Sequence, residues 1–373
     1  MRHHKLYSLV IIIIVRINQV SSHSISYLKL ISASKKILRV MAFFYKNTLS
    51  MCLQLTTIFC ICLVTTFSEL HRFQHKLKDA GSLKFLVVGD WGRKGLYNQS
   101  EVAFQMGRVG QELNIEFVIS TGDNFYDNGL TSVNDPAFKE SFTQIYSAES
   151  LQKQWYAVLG NHDYRGDVKA QLSPVLRKID RRWLILRSYV LNAGIAEFFF
   201  VDTTPFVDVY FDDPLHHRYD WRGISHRETY LARLLKDLES ALSSSKAKWK
   251  IVVGHHAMRS VSHHGDTQEV VERILPVLKA NNVDMYVNGH DHCLQHLSCL
   301  DSPIQFITSG AGSKAWRGDV KDHHNRCAIN FFHDGQGFMS VQMTQTNAEM
   351  VFYDVFGKVI YRWNVAKQLV SSM

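Results

Sequence analysis

Short apolar runs recur along this chain, and each breaks off at a polar cluster containing glycine. Residues 84–88 run into Gly89-Asp90-Trp91-Gly92, and residues 115–119 into Gly122-Asp123-Asn124-Phe125-Tyr126. Residues 155–159 lead to Gly160-Asn161-His162-Asp163, residues 249–253 to Gly254-His255-His256, and residues 284–287 to Asn288-Gly289-His290-Asp291-His292. Apolar runs of that length bounded by turn residues read as buried strands. A further strand is expected at 197–201, followed by a long polar loop through Asp202, His216, His217 and Trp221. Between the runs lie helical patterns at 102–113, 137–151, 172–179, 228–242 and 269–280. In 228–242, Leu231, Leu234, Leu235, Leu238 and Leu242 fall at helical spacing and predict a core-facing stripe.

Residues 304–363 hold short β-rich runs separated by glycine turns, which predict a closing antiparallel portion. Strands alternating with helices and then strands predominating predict an α/β fold: two packed mixed β-sheets flanked by helices. No repeat or clean linker interrupts residues 80–365, so residues 68–373 are expected to form one domain.

Composition changes this picture at the front of the chain. The protein has 373 residues and a formal net charge of +8. Residues 1–67 contain no Asp or Glu, and their eight Lys or Arg account for the whole excess; the rest is formally neutral, with 34 acidic residues balanced by the remaining basic ones. The basic balance is therefore no argument for nucleic-acid binding. The apolar stretch 51–67, preceded by Lys46, reads as the apolar middle of a secretory signal peptide. A signal anchor, a transit peptide and an upstream extension of the frame are the alternatives. Secretion implies an extracellular or vacuolar protein with no stable membrane association once the leader is removed. A monomer is expected.

Cys52, Cys60 and Cys62 lie in this leader, leaving Cys293, Cys299 and Cys327 in the body. A Cys293–Cys299 disulfide with Cys327 free and three reduced buried thiols are both open. Asn98-Gln99-Ser100 is a glycosylation sequon, expected on a surface loop.

The clusters themselves carry the chemistry. An Asp after a strand is ordinarily a turn residue, and a single His is ordinarily a satisfied one. Five strand ends bearing Asp90; Asp123 and Tyr126; Asn161 and His162; His255; and His290 with His292 point instead to metal. Carboxylates, a phenol, an amide and imidazoles, with no thiolate, suit Fe, Mn or Zn. Setting His162 aside, seven candidate ligands are too many for one ion, and Asp123 as a bridge divides them into two sites.

The ordered set Gly-Asp-Trp-Gly, Gly-Asp-Asn-Phe-Tyr, Gly-Asn-His-Asp, Val-Val-Gly-His-His and Gly-His-Asp-His resembles that of the purple acid phosphatases, a branch of the metallophosphoesterases. Residues 253–257 and 309–319 are similar to the small plant-type members. The resemblance covers about residues 82–363. It implies Fe(III) held by Asp90, Tyr126, His292 and bridging Asp123, and Zn, Mn or Fe(II) held by Asp123, Asn161, His255 and His290. Ordinary metallophosphoesterases usually carry a His two residues after the first Asp; here that position is Gly92, and Tyr126 supplies the ligand. An ionised phenolate favours Fe(III) and gives a charge-transfer colour.

The resemblance further implies hydrolysis of small phosphate monoesters to alcohol and phosphate. Cations roughly 3.5–4 Å apart would clamp the ester, with metal-bound hydroxide as the nucleophile. His162 and His264, the latter in the His263-His264-Gly265-Asp266 loop, match the positions that assist catalysis and protonate the leaving group. His256, His263 and His296 read as rim or structural residues, and Arg317 as either a phosphate contact or a solvated side chain. Iron-dependent peroxidase-like activity producing reactive oxygen, a non-catalytic phosphate or metal-binding protein, and a generic binuclear phosphodiesterase are the rival readings.

Overall fold

The computed structural model describes residues 70–212, 217–318, 320 and 327–367, with isolated positions between 35 and 46. The expected leader and its signal peptide lie almost wholly outside the described residues. Residues Ser68–Met373 form a compact unit of their own. Among the described residues no helix is long and apolar enough to cross a membrane.

In chain order the strands are β1 (His71–Gln74), β2 (Ser82–Val88), β3 (Phe117–Ser120), β4 (Gln154–Ala157), β5 (Trp183–Ile185), β6 (Tyr189–Ala193), β7 (Ala196–Phe200) and β8 (Trp249–Val253). They continue as β9 (Met285–Asn288), β10 (Leu294–Cys299), β11 (Ser302–Ser309), β12 (Cys327–His333), β13 (Gly337–Thr344), β14 (Asn347–Asp354) and β15 (Val359–Ala366). They make two mixed sheets, ordered β1-β6-β7-β8-β9-β11-β10-β12 and β15-β14-β13-β2-β3-β4-β5. Within them β2 through β5 run parallel, as do β7, β8, β9 and β11. The C-terminal strands β13, β14 and β15 close their sheet antiparallel.

Alternation along each strand builds the layers, because successive side chains leave opposite faces of a sheet. Phe85 and Val87 of β2 join Phe117, Phe198, Phe200 and Ile251 in the core between the sheets. Leu86 and Val88 face the other way, toward helix α1 (Gln99–Leu113). The outer face of the eight-stranded sheet is covered by α2 (Arg227–Ser244), which buries Leu231, Leu234, Leu238 and Leu242 and keeps Leu235 partly buried. The predicted leucine stripe is thus a core stripe.

Three expectations on local structure need correction. Residues 137–151 are not one helix: they break into Pro136–Phe138, a π-turn at Lys139–Thr143 and a short turn at Glu149–Leu151. Their aromatics, Phe138, Phe142 and Tyr146, are recruited around buried Trp91, and that packing outweighs helical propensity. Residues 269–280 divide into α3 (Gln268–Arg273) and α4 (Leu275–Ala280), because Pro276 has no N–H to continue the first helix.

The third correction concerns the disulfide, which joins Cys299 to Cys327 and leaves Cys293 buried and free. Cys293 sits just before β10 and Cys299 at its far end, about 20 Å of extended chain away. Cys327 instead lies directly across from Cys299 in the β10–β12 ladder.

Candidate metal centre

The predicted clusters meet at one rim because the parallel strands of both sheets end there. Asp90 follows β2, Asp123 follows β3, Asn161 follows β4, His255 follows β8, and His290 and His292 follow β9. Trp91 anchors the first loop: its ring is buried against Phe125, and its indole N–H donates to Ser120 Oγ at 2.8 Å. Asp163 ties the second and third loops together. It is wholly buried and accepts from the backbone N–H groups of Asn124, Phe125 and Gly160. Burial, and next the Asp123 charge, push its carboxyl up to about 7.

Asp90 and Asp123 are used alike. Each commits one oxygen to a backbone amide from another loop: His290 N–H to Asp90 Oδ2 at 3.1 Å, and His162 N–H to Asp123 Oδ1 at 2.8 Å. Each aims the other at the Tyr126 hydroxyl, at 2.9 Å from Asp90 and 3.0 Å from Asp123. His292 Nε2 stands 3.0 Å from that same hydroxyl and 3.5 Å from Asp90 Oδ1.

The second group shares an atom with the first. Asp123 Oδ2 lies 3.4 Å from His255 Nε2, which is 3.2 Å from Asn161 Oδ1. His255 Nδ1 faces the Thr121 carbonyl at 2.9 Å, so donation there leaves Nε2 directed at the cluster. The His290 ring lies beside it, with centroids 5.1 Å apart. Asp123 therefore occupies the bridging place between the two groups.

Asp90, Asp123 and His290 all adopt positive φ, at 60°, 49° and 70°. Such backbone costs about 1–3 kcal/mol per residue and persists only where the surroundings enforce it. Gly122, at φ 97°, enforces it in part: a Cβ there would lie 2.6 Å from His255 Nδ1. Gly92 explains the exchange of His for Tyr126. A Cβ at position 92 would sit 1.9 Å from the Asn124 carbonyl oxygen, and the Gly92 carbonyl accepts from Tyr126 N–H. The backbone that brings Tyr126 in occupies the space a side chain at 92 would need.

The donor set fits cations. Three acceptor atoms crowd one hydroxyl, whose single proton satisfies only one of them, whereas a cation among the four atoms satisfies all. The charges agree. Burial, then Asp123 and Asp90, hold the Tyr126 phenol far above its usual range, so a proton stays where a cation would replace it. Burial depresses His290 and His292 strongly, leaving neutral imidazoles with lone pairs to donate. Burial works against a charged His255, but Asp123 overcomes it and raises that imidazole to about 9. Asp123 is itself lowered, because His255 and His162 outweigh its burial.

His256 is also close enough to form a ligand group with His255 and His290. Its ring nitrogens are already engaged, Nδ1 with Thr203 Oγ1 at 2.9 Å and Nε2 with the Tyr210 hydroxyl at 3.0 Å. It belongs to the wall. His296 lies between Tyr361 and Gln305 and is structural.

Above the rim opens a cavity of about 540 Å³. His162 and His264 both line it. His162 is half-buried, its ring 4.5 Å from that of Tyr126. His264 is exposed and stacks on His290 at 4.0 Å, with its backbone N–H held by Asp291. Of the two readings of Arg317, the solvated one fits: that side chain is exposed near Asp334, while its neighbour Trp316 stacks on His292 at 3.9 Å. Sequence reasoning missed Trp316, Tyr210 and Arg165 in the wall, and Arg93, whose guanidinium lies 3.7 Å over the Tyr126 ring. Only Arg165 left a signal, one helical turn after His162.

Comparison with known proteins agrees with this geometry. The family model for calcineurin-like phosphoesterases matches residues 83–294. Purple acid phosphatase 17 of Arabidopsis thaliana is 60% identical over 84% of this chain and 94% of its own. Human tartrate-resistant acid phosphatase type 5 is 30% identical over 77% of this chain and 92% of its own. Among solved structures, the anchor protein GAP50 of the Plasmodium inner membrane complex shares the fold, with TM-score 0.65 and 24% identity over 78% of this chain and 90% of that one. The chain belongs to the purple acid phosphatases, the binuclear-metal hydrolases of phosphate monoesters within the calcineurin-like phosphoesterases.

Proposed function

We propose that this chain is a secreted acid phosphatase whose first site, Asp90, Tyr126, His292 and Asp123, takes Fe(III). The second, Asp123, Asn161, His255 and His290, takes Zn, Mn or Fe(II). The observation that carries the reading is the Tyr126 hydroxyl within 3.0 Å of Asp90, Asp123 and His292. A phenol flanked by two carboxylates is a poor acid on its own and a strong ligand once a trivalent ion neutralises them. Bound cations would supply Lewis acidity for the ester and acidify a water near the phosphorus.

The protein's own groups do the rest. Asp123 spans both sites, and Asp163 fixes the two loops that present Asp123 and Asn161. His264, stacked on His290 at the mouth, is placed to give a proton to the departing alkoxide. His162 stands beside Tyr126 and Asp123 and contacts the bound ester. The domain comprising residues 68–373 acts as a monomer on small phosphate esters, with no nucleic-acid partner. Secretion is supported by the Cys299–Cys327 disulfide, which suits an oxidising compartment, and by the exposed sequon at Asn98.

The test is the visible spectrum of the oxidised protein beside Tyr126→Phe, with a chromogenic phosphomonoester assay at acid pH. A purple band lost in the variant, with acid activity in the wild type, is expected. A colourless, metal-loaded and active wild type would overturn the Fe(III)–phenolate assignment.

A further inference from the structure

Arg165 lines the cavity beside His162, and it is the cation there with no carboxylate partner among the described residues. Its Nη1 lies 3.2 Å from His162 Nδ1 and 3.4 Å from His162 Nε2. Near-equal distances to both ring nitrogens place the guanidinium over the imidazole face. His162 Nδ1 donates to the Asp127 carbonyl, so only Nε2, at 3.4 Å, can accept a hydrogen bond from Arg165. The guanidinium therefore keeps most of its donors, and its Nε is buried without a partner.

Among the described residues, the two carboxylates on the far side of the mouth have partners of their own. Asp266 pairs with Arg259 at 2.9 Å and accepts the Ser260 N–H at 3.0 Å. Glu269 accepts the Asp208 N–H at 2.9 Å. His162 Nε2 is 4.0 Å from Asp123 Oδ2, so the guanidinium stands one imidazole beyond the bridging carboxylate. An ester phosphate at the metal centre would leave Arg165 opposite the next group along the substrate. A planar fork with free N–H donors matches a second phosphate there.

We infer that Arg165 is a specificity-determining residue that binds a second phosphate carried by the leaving group, so that phosphoanhydrides are selected over esters lacking one. The inference rests on the phosphatase reading above. The deciding experiment compares kcat/KM of the wild-type holoenzyme, Arg165→Gln and Arg165→Lys on p-nitrophenyl phosphate, inorganic pyrophosphate and ADP. Arg165→Gln should lower the pyrophosphate-to-p-nitrophenyl phosphate ratio tenfold or more, chiefly through KM, with the same fall for ADP. Arg165→Lys should recover part of it.

A fall for pyrophosphate alone would assign the pocket to the free anion and overturn the inference for nucleotides. An unchanged ratio in a folded, metal-loaded Arg165→Gln overturns the inference and leaves the phosphatase reading intact. A wild type inactive on p-nitrophenyl phosphate removes both. Should Gln disturb the loop, Arg165→Met, which keeps the aliphatic stem, decides on the same ratio.

Discussion

Asp90, Asp123 and His290 form a buried floor held at positive φ, and each is fixed by bonds from a loop other than its own. His264, Arg165 and Trp316 form a mouth: His264 is exposed, and the other two are half-buried. The floor projects from short turns directly after parallel strands, where the sheets over-determine every atom. The mouth belongs to longer loops that meet through ring stacking, such as His264 on His290 and Trp316 on His292. The difference suggests a division of labour, with the floor fixing the metal chemistry and the mouth choosing the substrate and handling its leaving group.

Substitutions on the two sides should separate them. The largest effect is expected on the floor. Asp123→Asn removes the shared anion, so it should cost on the order of a thousandfold or more in kcat/KM and lower the content of both metals, read by elemental analysis. Metal content at the wild-type level would mean that the bridge is elsewhere. Gly92→Ala comes next: its methyl would overlap the Asn124 carbonyl, so unfolding stability should fall by about 3 kcal/mol or more. Denaturant melts check this, and a neutral outcome would break the account of how Tyr126 enters the site.

At the mouth, His264→Ala should keep both metals. It should slow an alkyl phosphate on the order of a hundredfold in kcat while sparing p-nitrophenyl phosphate, whose leaving group needs no proton. Equal losses on both substrates would deny His264 the role of acid. The smallest effect is expected at Asp202, just beyond the end of β7. Asp202 is wholly buried, hydrogen-bonded to Tyr164 and paired with Arg187. Burial pushes its carboxyl up to about 6, against the opposing pull of Arg187.

A carboxyl whose folded value lies above its unfolded value takes up a proton on folding. Stability from this group therefore rises as pH falls from about 6 to about 4. Relative to Asp202→Asn, the wild type should gain about 2 kcal/mol between pH 7 and pH 4. A flat difference would mean that Arg187 holds the carboxylate charged throughout.

The strand ends and the residues they carry were legible in the order of residues along the chain. Asp90, Asp123, Asn161, His255 and His290 each follow an apolar run, and that local pattern sufficed to place them on one rim, because parallel strands share a carboxyl edge. The core stripe of α2 was legible for the same reason, since helical periodicity is local.

Which atoms meet was settled by long-range packing. Position 92 lost its side-chain space to a backbone carbonyl 32 residues away in sequence. Cys299 found Cys327 through a ladder register rather than through spacing. Among the described residues, Arg165 was left without a carboxylate while Asp266 and Glu269 were matched with partners. Each outcome depends on contacts between segments far apart in the chain, and neither periodicity nor composition encodes those distances.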